Sequence, residues 1–339
     1  MGSEPLRMNI NFIRKEYGEG FLVKLRYLLI ALLVLSVISI FVGVQELTPL
    51  DLLHLEGDQS LILLSSRLPR LISIIIAGTS ISICGLIMQQ LSRNKFVSPT
   101  TAGTMDAARL GVLVSLLVFT SASPLTKMFV AFAFALGGTL LFMKILDSIK
   151  MKDAVFIPLV GLMFGNIISS IATFIAYKYD LIQNMSSWLH GDFSMIVSGQ
   201  FELIYISIPL LILAYFFADK FTIAGMGEEF AKNLGLNHRQ VVRIGLIIVS
   251  MVTACVVLTV GMIPFLGLII PNIVSIYQGD HLKKNLSHTA VLGAVFVLFC
   301  DILGRIVIYP YEVSISLTVG IIGSGIFIYL LLRRRAYDT

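Results

Sequence analysis

The residues best suited to chemistry in this sequence are basic side chains at the ends of long apolar runs. Arg67 and Arg70 stand directly ahead of an uncharged apolar run that extends from Leu71 to Met88. A guanidinium carries a planar fork of N–H donors that binds carboxylates in a fixed geometry. Because a charge at the edge of a membrane helix costs desolvation energy unless it is paired, the two arginines predict a docking site for acidic groups. Anchoring to lipid phosphates is the alternative.

A second charged pair lies inside an apolar run near the end of the chain. Asp301 and Arg305 are four residues apart, so on a helix they share one face and are able to pair. Arg305 therefore has two interpretations. It either neutralises Asp301 or presents a third guanidinium beside Arg67 and Arg70.

Motifs for catalysis and for metal binding are absent from the sequence. There is no phosphate loop of the G-x-x-x-x-G-K-[ST] type, no H-E-x-x-H pair and no nucleophile elbow. The three cysteines, Cys84, Cys255 and Cys300, lie in apolar runs without metal-ligand spacing, and the five histidines make no evident ligand set. We therefore expect no enzymatic activity, no metal site and no cofactor.

The composition indicates the elements that carry these residues. The 339 residues are 57% hydrophobic and 13% charged, with a mean hydropathy of +0.91, whereas soluble domains carry about 25% charged residues. This predicts an all-α polytopic membrane protein. Ten membrane helices are predicted, near residues 27–45, 67–91, 104–121, 125–145, 154–177, 201–217, 241–262, 264–277, 287–308 and 313–332.

The eighth predicted helix is too short to cross a membrane unaided, and it contains Pro264 and Pro271. A broken apolar segment survives in a membrane only where protein or a water-filled cavity satisfies its backbone. Such a segment either borders a transport pathway or is a buried half-helix with no role in transport.

The distribution of lysine and arginine predicts the orientation. With ten spans, most basic residues collect in alternate loops, which places both termini in the cytoplasm. We divide the chain into a cytoplasmic N-terminal segment, 1–25, and a ten-helix domain, 26–335, that includes a cytoplasmic loop at 219–240.

In the 219–240 loop, Phe230, Ala231 and Leu234 would form one apolar face of a short helix, and Gly235 is placed to cap it. The helix either lies on the membrane surface or docks a cytoplasmic partner.

Several motifs together resemble one protein family. They are Arg67-Leu68-Pro69-Arg70, Gly227-Glu228-Glu229, Leu234-Gly235-Leu236, the PFLGLIIPNI segment from Pro264, Asp301-Ile302-Leu303-Gly304-Arg305, and Glu312. From about residue 25 to its end the chain resembles the FecCD family, the permease subunits of ABC importers for ferric siderophores, haem and cobalamin. It resembles most the petrobactin-type siderophore permeases of Gram-positive bacteria.

The resemblance implies the type II ABC importer permease fold and translocation of a ferric siderophore, of the catecholate or petrobactin type, into the cytoplasm. ATP hydrolysis on a separate subunit would drive it. The implied partners are a second permease subunit (identical or different), two ATP-binding subunits and an extracellular substrate-binding lipoprotein, with no nucleic acid.

The resemblance also implies roles for single residues. Arg67, Arg70 and Arg305 would dock the substrate-binding protein. Coupling to the ATPase falls to the loop residues Gly227, Glu228, Glu229, Phe230, Ala231, Leu234 and Gly235. The cytoplasmic gate is expected at Asn94, Phe96, Asp153 and Ala154. Met163, Asn166 and Trp188 are candidates for lining the pore, although such residues more often serve packing.

Other functions remain open at this stage. The cargo could be another iron chelate, haem, cobalamin or a free metal ion. A secondary carrier is a different class, and it is disfavoured by the scarcity of ionisable residues within the predicted helices. No positive feature indicates a receptor or a structural protein. Copurification of a P-loop ATPase would discriminate between these classes.

Overall fold

The computed structural model describes residues 24–43, 57–119, 121, 123–148, 156–183, 190–199, 201–279 and 281–335. The regular structure within these ranges is helical. The helices are α1 (Leu25–Phe41), α2 (Gly57–Ile62), α3 (Leu68–Ser92), α4 (Thr104–Val118), α5 (Pro124–Ser148), α6 (Phe156–Lys178), α7 (Ser207–Gly225), α8 (Glu228–Asn233), α9 (His238–Thr259), α10 (Leu266–Gln278), α11 (Leu282–Ile306) and α12 (Ile315–Arg335). A π-helical turn, Leu63–Arg67, joins α2 to α3, and a 3-10 turn, Glu202–Ile206, precedes α7.

Each of the ten predicted membrane segments coincides with a helix, and the all-α prediction is confirmed. Among the described residues, six helical segments are long and apolar enough to cross a membrane: Ser60–Ser92, Pro124–Ser148, Phe156–Lys178, Glu202–Gly225, His238–Thr259 and Leu282–Ile306. The helices Leu25–Phe41, Leu266–Gln278 and Ile315–Leu330 are apolar but shorter. The chain is a multi-pass membrane protein.

Helix α3 lies at the centre of the bundle, where it packs against α11, α10, α9 and α7. Its side chains are buried almost throughout the apolar run. Two glycines allow this close packing, because a Cβ on Gly85 would overlap the backbone carbonyl of Gly267 on α10, and one on Gly78 would lie 2.8 Å from the carbonyl oxygen of Gly293 on α11. The neighbouring helices therefore approach α3 backbone to backbone.

The outer helices expose apolar side chains. In α6, Met163, Phe174 and Tyr177 are 61%, 68% and 73% exposed, and only 22% of its apolar stretch is buried. Such faces are typical of contact with lipid, with another protein subunit or with a ligand passage.

The helix directions place the predicted functional residues at two opposite ends of the bundle. The arginine end is the end where α3 and α12 begin and α11 finishes, and it carries Arg67, Arg70 and Arg305. The α8 end is the other, where α3 and α7 finish and α8 lies.

Helix boundaries near charged residues differ from the prediction. Helix α7 continues to Gly225 and α9 begins at His238, so the segment between them is shorter than the predicted loop. The reason is that charged side chains are satisfied on the helix surface. Lys283, in the first turn of α11, pairs with Asp219 of α7 at 2.6 Å. Hydropathy places the end of a helix at its first charged residue, whereas the helix in the structure continues past that residue.

Candidate functional site

At the arginine end, three segments bring charged groups together and a fourth adds polar groups. Arg70 lies in the first turn of α3, which Pro69 helps to start because its missing N–H is not needed there. Asp301 and Arg305 occupy the last two turns of α11, and Glu312 lies in the connection to α12. The end of α1 contributes Ser39.

Asp301 is the centre of this cluster. Its Oδ1 accepts from Nη2 of Arg70 at 2.8 Å and from Nε at 3.3 Å. Its Oδ2 accepts from Nη2 of Arg305. The third N–H group of the Arg70 fork, on Nη1, donates to Glu312 Oε2 at 2.7 Å. Two carboxylates thus balance two guanidiniums.

Arg305 is buried, with 3% of the residue exposed. Besides Asp301 it binds α1, where its Nη1 donates to the carbonyl oxygens of Ser39 at 2.9 Å and Val42 at 2.8 Å. The predicted pairing with Asp301 is confirmed. The docking role of Arg305 stays a prediction.

Arg67 ends the π-helical turn and is half-buried. Its Nη1 donates to the carbonyl of Val42, which Arg305 also binds. Gly43 makes room for this contact, because a Cβ at that position would overlap the Arg67 guanidinium. The two arginines of the motif are therefore held by different elements, Arg67 by α1 and Arg70 by α11.

At the α8 end, the predicted short helix is present and ends as predicted. Gly235 adopts a left-handed conformation with φ 74°, and its N–H donates to the Lys232 carbonyl while the N–H of Leu236 donates to that of Ala231, both at 2.9 Å. These two bonds form a Schellman cap. The apolar residues of α8 are divided between two sides. Ala231 is fully buried, whereas Phe230 is 48% and Leu234 is 59% exposed.

The acidic start of α8 is held within the loop. Glu228 pairs with Lys232 one turn later at 2.9 Å, and Arg239 lies 3.9 Å away. The hydrogen bond from Lys232 and its charge lower the pKa of Glu228, so this carboxylate is ionised at neutral pH.

Helix α3 reaches α8 with its last residues. The Gln90 side chain donates to the Thr222 carbonyl of α7 at 3.4 Å. A Cβ on Gly227, the residue before α8, would lie 3.1 Å from Nη1 of Arg93. The end of α3 therefore contacts the α7–α8 junction directly.

The first predicted gate segment follows α3 as an ordered loop. Asn94 caps it by accepting the N–H of Phe96 at 2.8 Å, and Asn272 of α10 donates to the Lys95 carbonyl at 2.8 Å. The Phe96 ring packs edge-to-face on Phe327 of α12, with centroids 5.9 Å apart. The other predicted gate residues, Asp153 and Ala154, lie outside the described residues.

Two of the predicted pore-lining residues lie on the exposed face of α6. Both Met163 and Asn166 are exposed. Trp188 lies outside the described residues.

Three polar residues stand out for which the sequence motifs predict no role. Glu312 and Ser39 complete the cluster at the arginine end, and Arg109 is buried in α4 with its Nη2 donating to Ser169 of α6 at 2.8 Å. Their signal in the sequence is weak. A charged residue inside a predicted membrane helix marks Arg109, but nothing local marks its partner.

Comparisons with known proteins agree with this architecture. Residues 31–333 match the FecCD transport family. The chain is 72% identical over 315 residues to the petrobactin import system permease protein YclN of Bacillus subtilis (strain 168), covering 93% of this chain and 100% of that protein. It is 40% identical over 306 residues to the ferric-anguibactin transport system permease protein FatD of Vibrio anguillarum (strain ATCC 68554 / 775), covering 90% and 98% of the two chains.

A solved structure described as a metal-chelate type ABC transporter in an inward-facing conformation shares the fold. Its TM-score is 0.76 at 21% identity, and the match covers 91% of this chain and 98% of that one. The resemblance stated from the sequence motifs is confirmed, and the chain belongs to the FecCD transport family.

Proposed function

We propose that this protein is a permease subunit of an ABC importer that carries a ferric siderophore of the petrobactin type into the cell. The observation that carries the proposal is the 72% identity to the petrobactin import permease, which extends over the whole of that protein. The chain would supply the passage only, and ATP would be hydrolysed on a separate subunit.

In the proposed assembly the protein lies in the cell membrane with both termini in the cytoplasm. The excess of Lys and Arg in alternate loops supports this orientation. The arginine end would then face outward, toward a substrate-binding lipoprotein, and the α8 end would face two ATP-binding subunits. The exposed apolar face of α6 is suited to a second permease subunit across a central pore.

Docking would use the outer arginines. Arg67 and Arg70 would contact carboxylates of the binding protein, since charge-assisted fork geometry fixes orientation as well as strength. Arg305 would contribute to docking indirectly. It shares Asp301 with Arg70 and so sets the position of the Arg70 guanidinium.

Coupling would use α8. Phe230 and Leu234 are exposed at the α8 end and would bind the ATPase, while the buried Ala231 fixes α8 to its own chain. Movement of α8 would reach the gate loop through Gln90 and Arg93, at the end of α3. Nucleotide shifts this equilibrium only if the ATPase binds α8 differently in its two states.

The test of cargo is an uptake measurement. The permease and its companion subunits are expressed in cells that lack other siderophore permeases, and radiolabelled ferric petrobactin is supplied. We expect accumulation that stops when ATP is depleted. If cells accumulate ferric anguibactin but not ferric petrobactin, the second candidate cargo is favoured instead. That candidate is suggested by the 40% identical permease.

The test of docking uses a double variant, Arg67→Gln with Arg70→Gln, and Lys127→Gln as a cation control at the same end. Uptake should be abolished in the double variant, with membrane insertion intact, and should be unchanged in the control. Normal uptake by the double variant would remove the docking assignment.

A further inference from the structure

The guanidinium of Arg70 is divided between two carboxylates that differ in their surroundings. Nε and Nη2 bind Asp301, whose side chain is 3% exposed. Nη1 binds Glu312, whose side chain is 25% exposed. One side of the fork therefore faces the protein interior, and the other faces the surface of the arginine end.

The two bonds also differ in how readily they are replaced. Asp301 is held by two guanidiniums, so its removal would leave two cations without their shared anion. Glu312 accepts one N–H group, and it lies in the irregular connection between α11 and α12, beside the exposed side chain of Tyr311. The Glu312 side chain is 25% exposed, against 3% for Asp301, so water and an incoming carboxylate reach the bond to Glu312 and not the bonds to Asp301. Glu312 is the replaceable ligand of Arg70.

We propose that Glu312 is a built-in competitor for the docking site, a carboxylate of the permease itself that occupies the outward N–H of Arg70 until a carboxylate of the binding protein displaces it. The inference rests on the proposed docking function of Arg70. It adds a residue that sets the affinity of docking without belonging to the partner's contact surface.

The exchange has a consequence for selectivity. Replacing one carboxylate by another at Arg70 changes the electrostatic energy little. A lone anion, such as a lipid phosphate or a free carboxylate, therefore does not displace Glu312. A protein surface that offers carboxylates to Arg67 and Arg70 in one fixed arrangement makes two contacts in a single binding event, so it displaces Glu312 where a lone anion does not. Glu312 thus lowers the affinity of Arg70 for lone anions more than its affinity for the binding protein.

The first experiment measures docking. The complete importer is reconstituted in nanodiscs and titrated with its own substrate-binding protein, and the Kd is compared for wild type, Glu312→Gln and Glu312→Asp. Glu202→Gln is the matched control, because Glu202 is an acidic residue at the same end that accepts the Gly199 N–H rather than an arginine. Glu312→Gln should tighten docking by about two- to fivefold, with Glu312→Asp and Glu202→Gln close to wild type.

Misfolding of the Glu312→Gln variant would not increase its affinity for the binding protein. The remaining outcomes distinguish the proposed docking at Arg70 from the proposed competition by Glu312. If Glu312→Gln leaves the Kd unchanged or weakens docking while Arg70→Lys weakens it, the competitor role is wrong and the docking role of Arg70 stands. If Arg70→Lys also has no effect, docking occurs elsewhere and both assignments fall.

The second experiment needs no partner. Phenylglyoxal modifies a guanidinium more slowly when carboxylates occupy its N–H groups, and mass spectrometry resolves each modified arginine of the intact importer. Glu312→Gln should raise the modification rate of Arg70 by about two- to fivefold and leave buried Arg305 unmodified. Equal rates in wild type and variant would show that Glu312 does not occupy Arg70.

Discussion

At the scale of single residues, one buried carboxylate organises the arginine end. Asp301 separates the guanidiniums of Arg70 and Arg305, which would otherwise repel each other in an apolar environment. A buried ion pair is not by itself strongly stabilising, but breaking one by removing a single partner is costly because the remaining charge stays buried. The cluster therefore depends on Asp301 more than on any of its arginines.

The corresponding prediction concerns Asp301→Asn. This variant should lose about 3–5 kcal/mol of unfolding free energy, because two guanidiniums lose their shared anion. The control is Asp219→Asn, which removes a surface pair with Lys283 and should cost at most about 1 kcal/mol. Unfolding of the purified variants by titration with sodium dodecyl sulfate measures both, and equal losses would contradict the central role of Asp301.

At the scale of elements, α3 connects the two ends of the molecule. It begins directly after Arg67, crosses α10 at Gly85, and ends against the α7–α8 junction and the loop that carries Asn94 and Phe96. The internal Pro271 of α10 lies four residues after Gly267, which is part of this crossing. A proline leaves the carbonyl four residues earlier without a helical donor, and that carbonyl, on Gly267, packs against Gly85.

Gly85→Ala tests this crossing. The added Cβ would overlap the Gly267 carbonyl, so α3 and α10 must separate, and overpacking of this kind costs typically about 1–3 kcal/mol. Gly137→Ala on α5 meets nothing within 4 Å and should be neutral or stabilising by up to about 1 kcal/mol. Thermal unfolding in detergent compares the two variants. A stable Gly85→Ala protein would show that the helices do not need this contact.

For α8 we predict the effect of Phe230→Ala combined with Leu234→Ala. Both side chains are exposed, so folding should be unaffected, while capture of the ATPase subunit during purification should fall strongly. Phe216→Ala, on the exposed side of α7, is the control for loss of an exposed aromatic residue. Retention of the ATPase by the α8 variant at the wild-type level would count against the coupling role.

At the scale of the whole molecule, two core clusters are stacked between the arginine end and the α8 end. One is built from the first half of α3 with the ends of α9 and α11, and the other from the second half of α3 with α7 and the start of α9. The outer helices contribute few side chains to either core. Helix α6 in particular is attached mainly through small residues, among them Gly161, Gly165 and Ala172. Its other face is left for lipid, pore or partner.

Cysteine labelling distinguishes these environments. Asn166→Cys, or Met163→Cys, should react with a charged, membrane-impermeant thiol reagent roughly tenfold faster than Phe129→Cys on α5, because a thiol in lipid neither ionises nor meets the reagent. The native Cys84, Cys255 and Cys300 are buried and need no replacement. Equal, slow labelling at all three introduced positions would place α6 against lipid or a subunit instead of a pore.

The amino-acid sequence alone determined what depends on near neighbours along the chain. Hydropathy located all ten helical segments and predicted that α10 is short, four-residue spacing predicted the Asp301–Arg305 pair, and a glycine predicted the end of α8. These features follow from helix geometry and local chain conformation, which need no knowledge of the fold. The break expected from Pro264 and Pro271 is wrong, because α10 continues across Pro271.

The tertiary structure decided which distant residues meet. It joined Arg70 to Asp301, 231 residues away, and to Glu312, and it turned Ala231 inward while leaving Phe230 outside. It also showed helices continuing past charged residues where hydropathy ends, since those charges find partners on neighbouring helices. The physical reason is that a side chain's partners depend on how the helices pack around α3, and no local pattern contains that information.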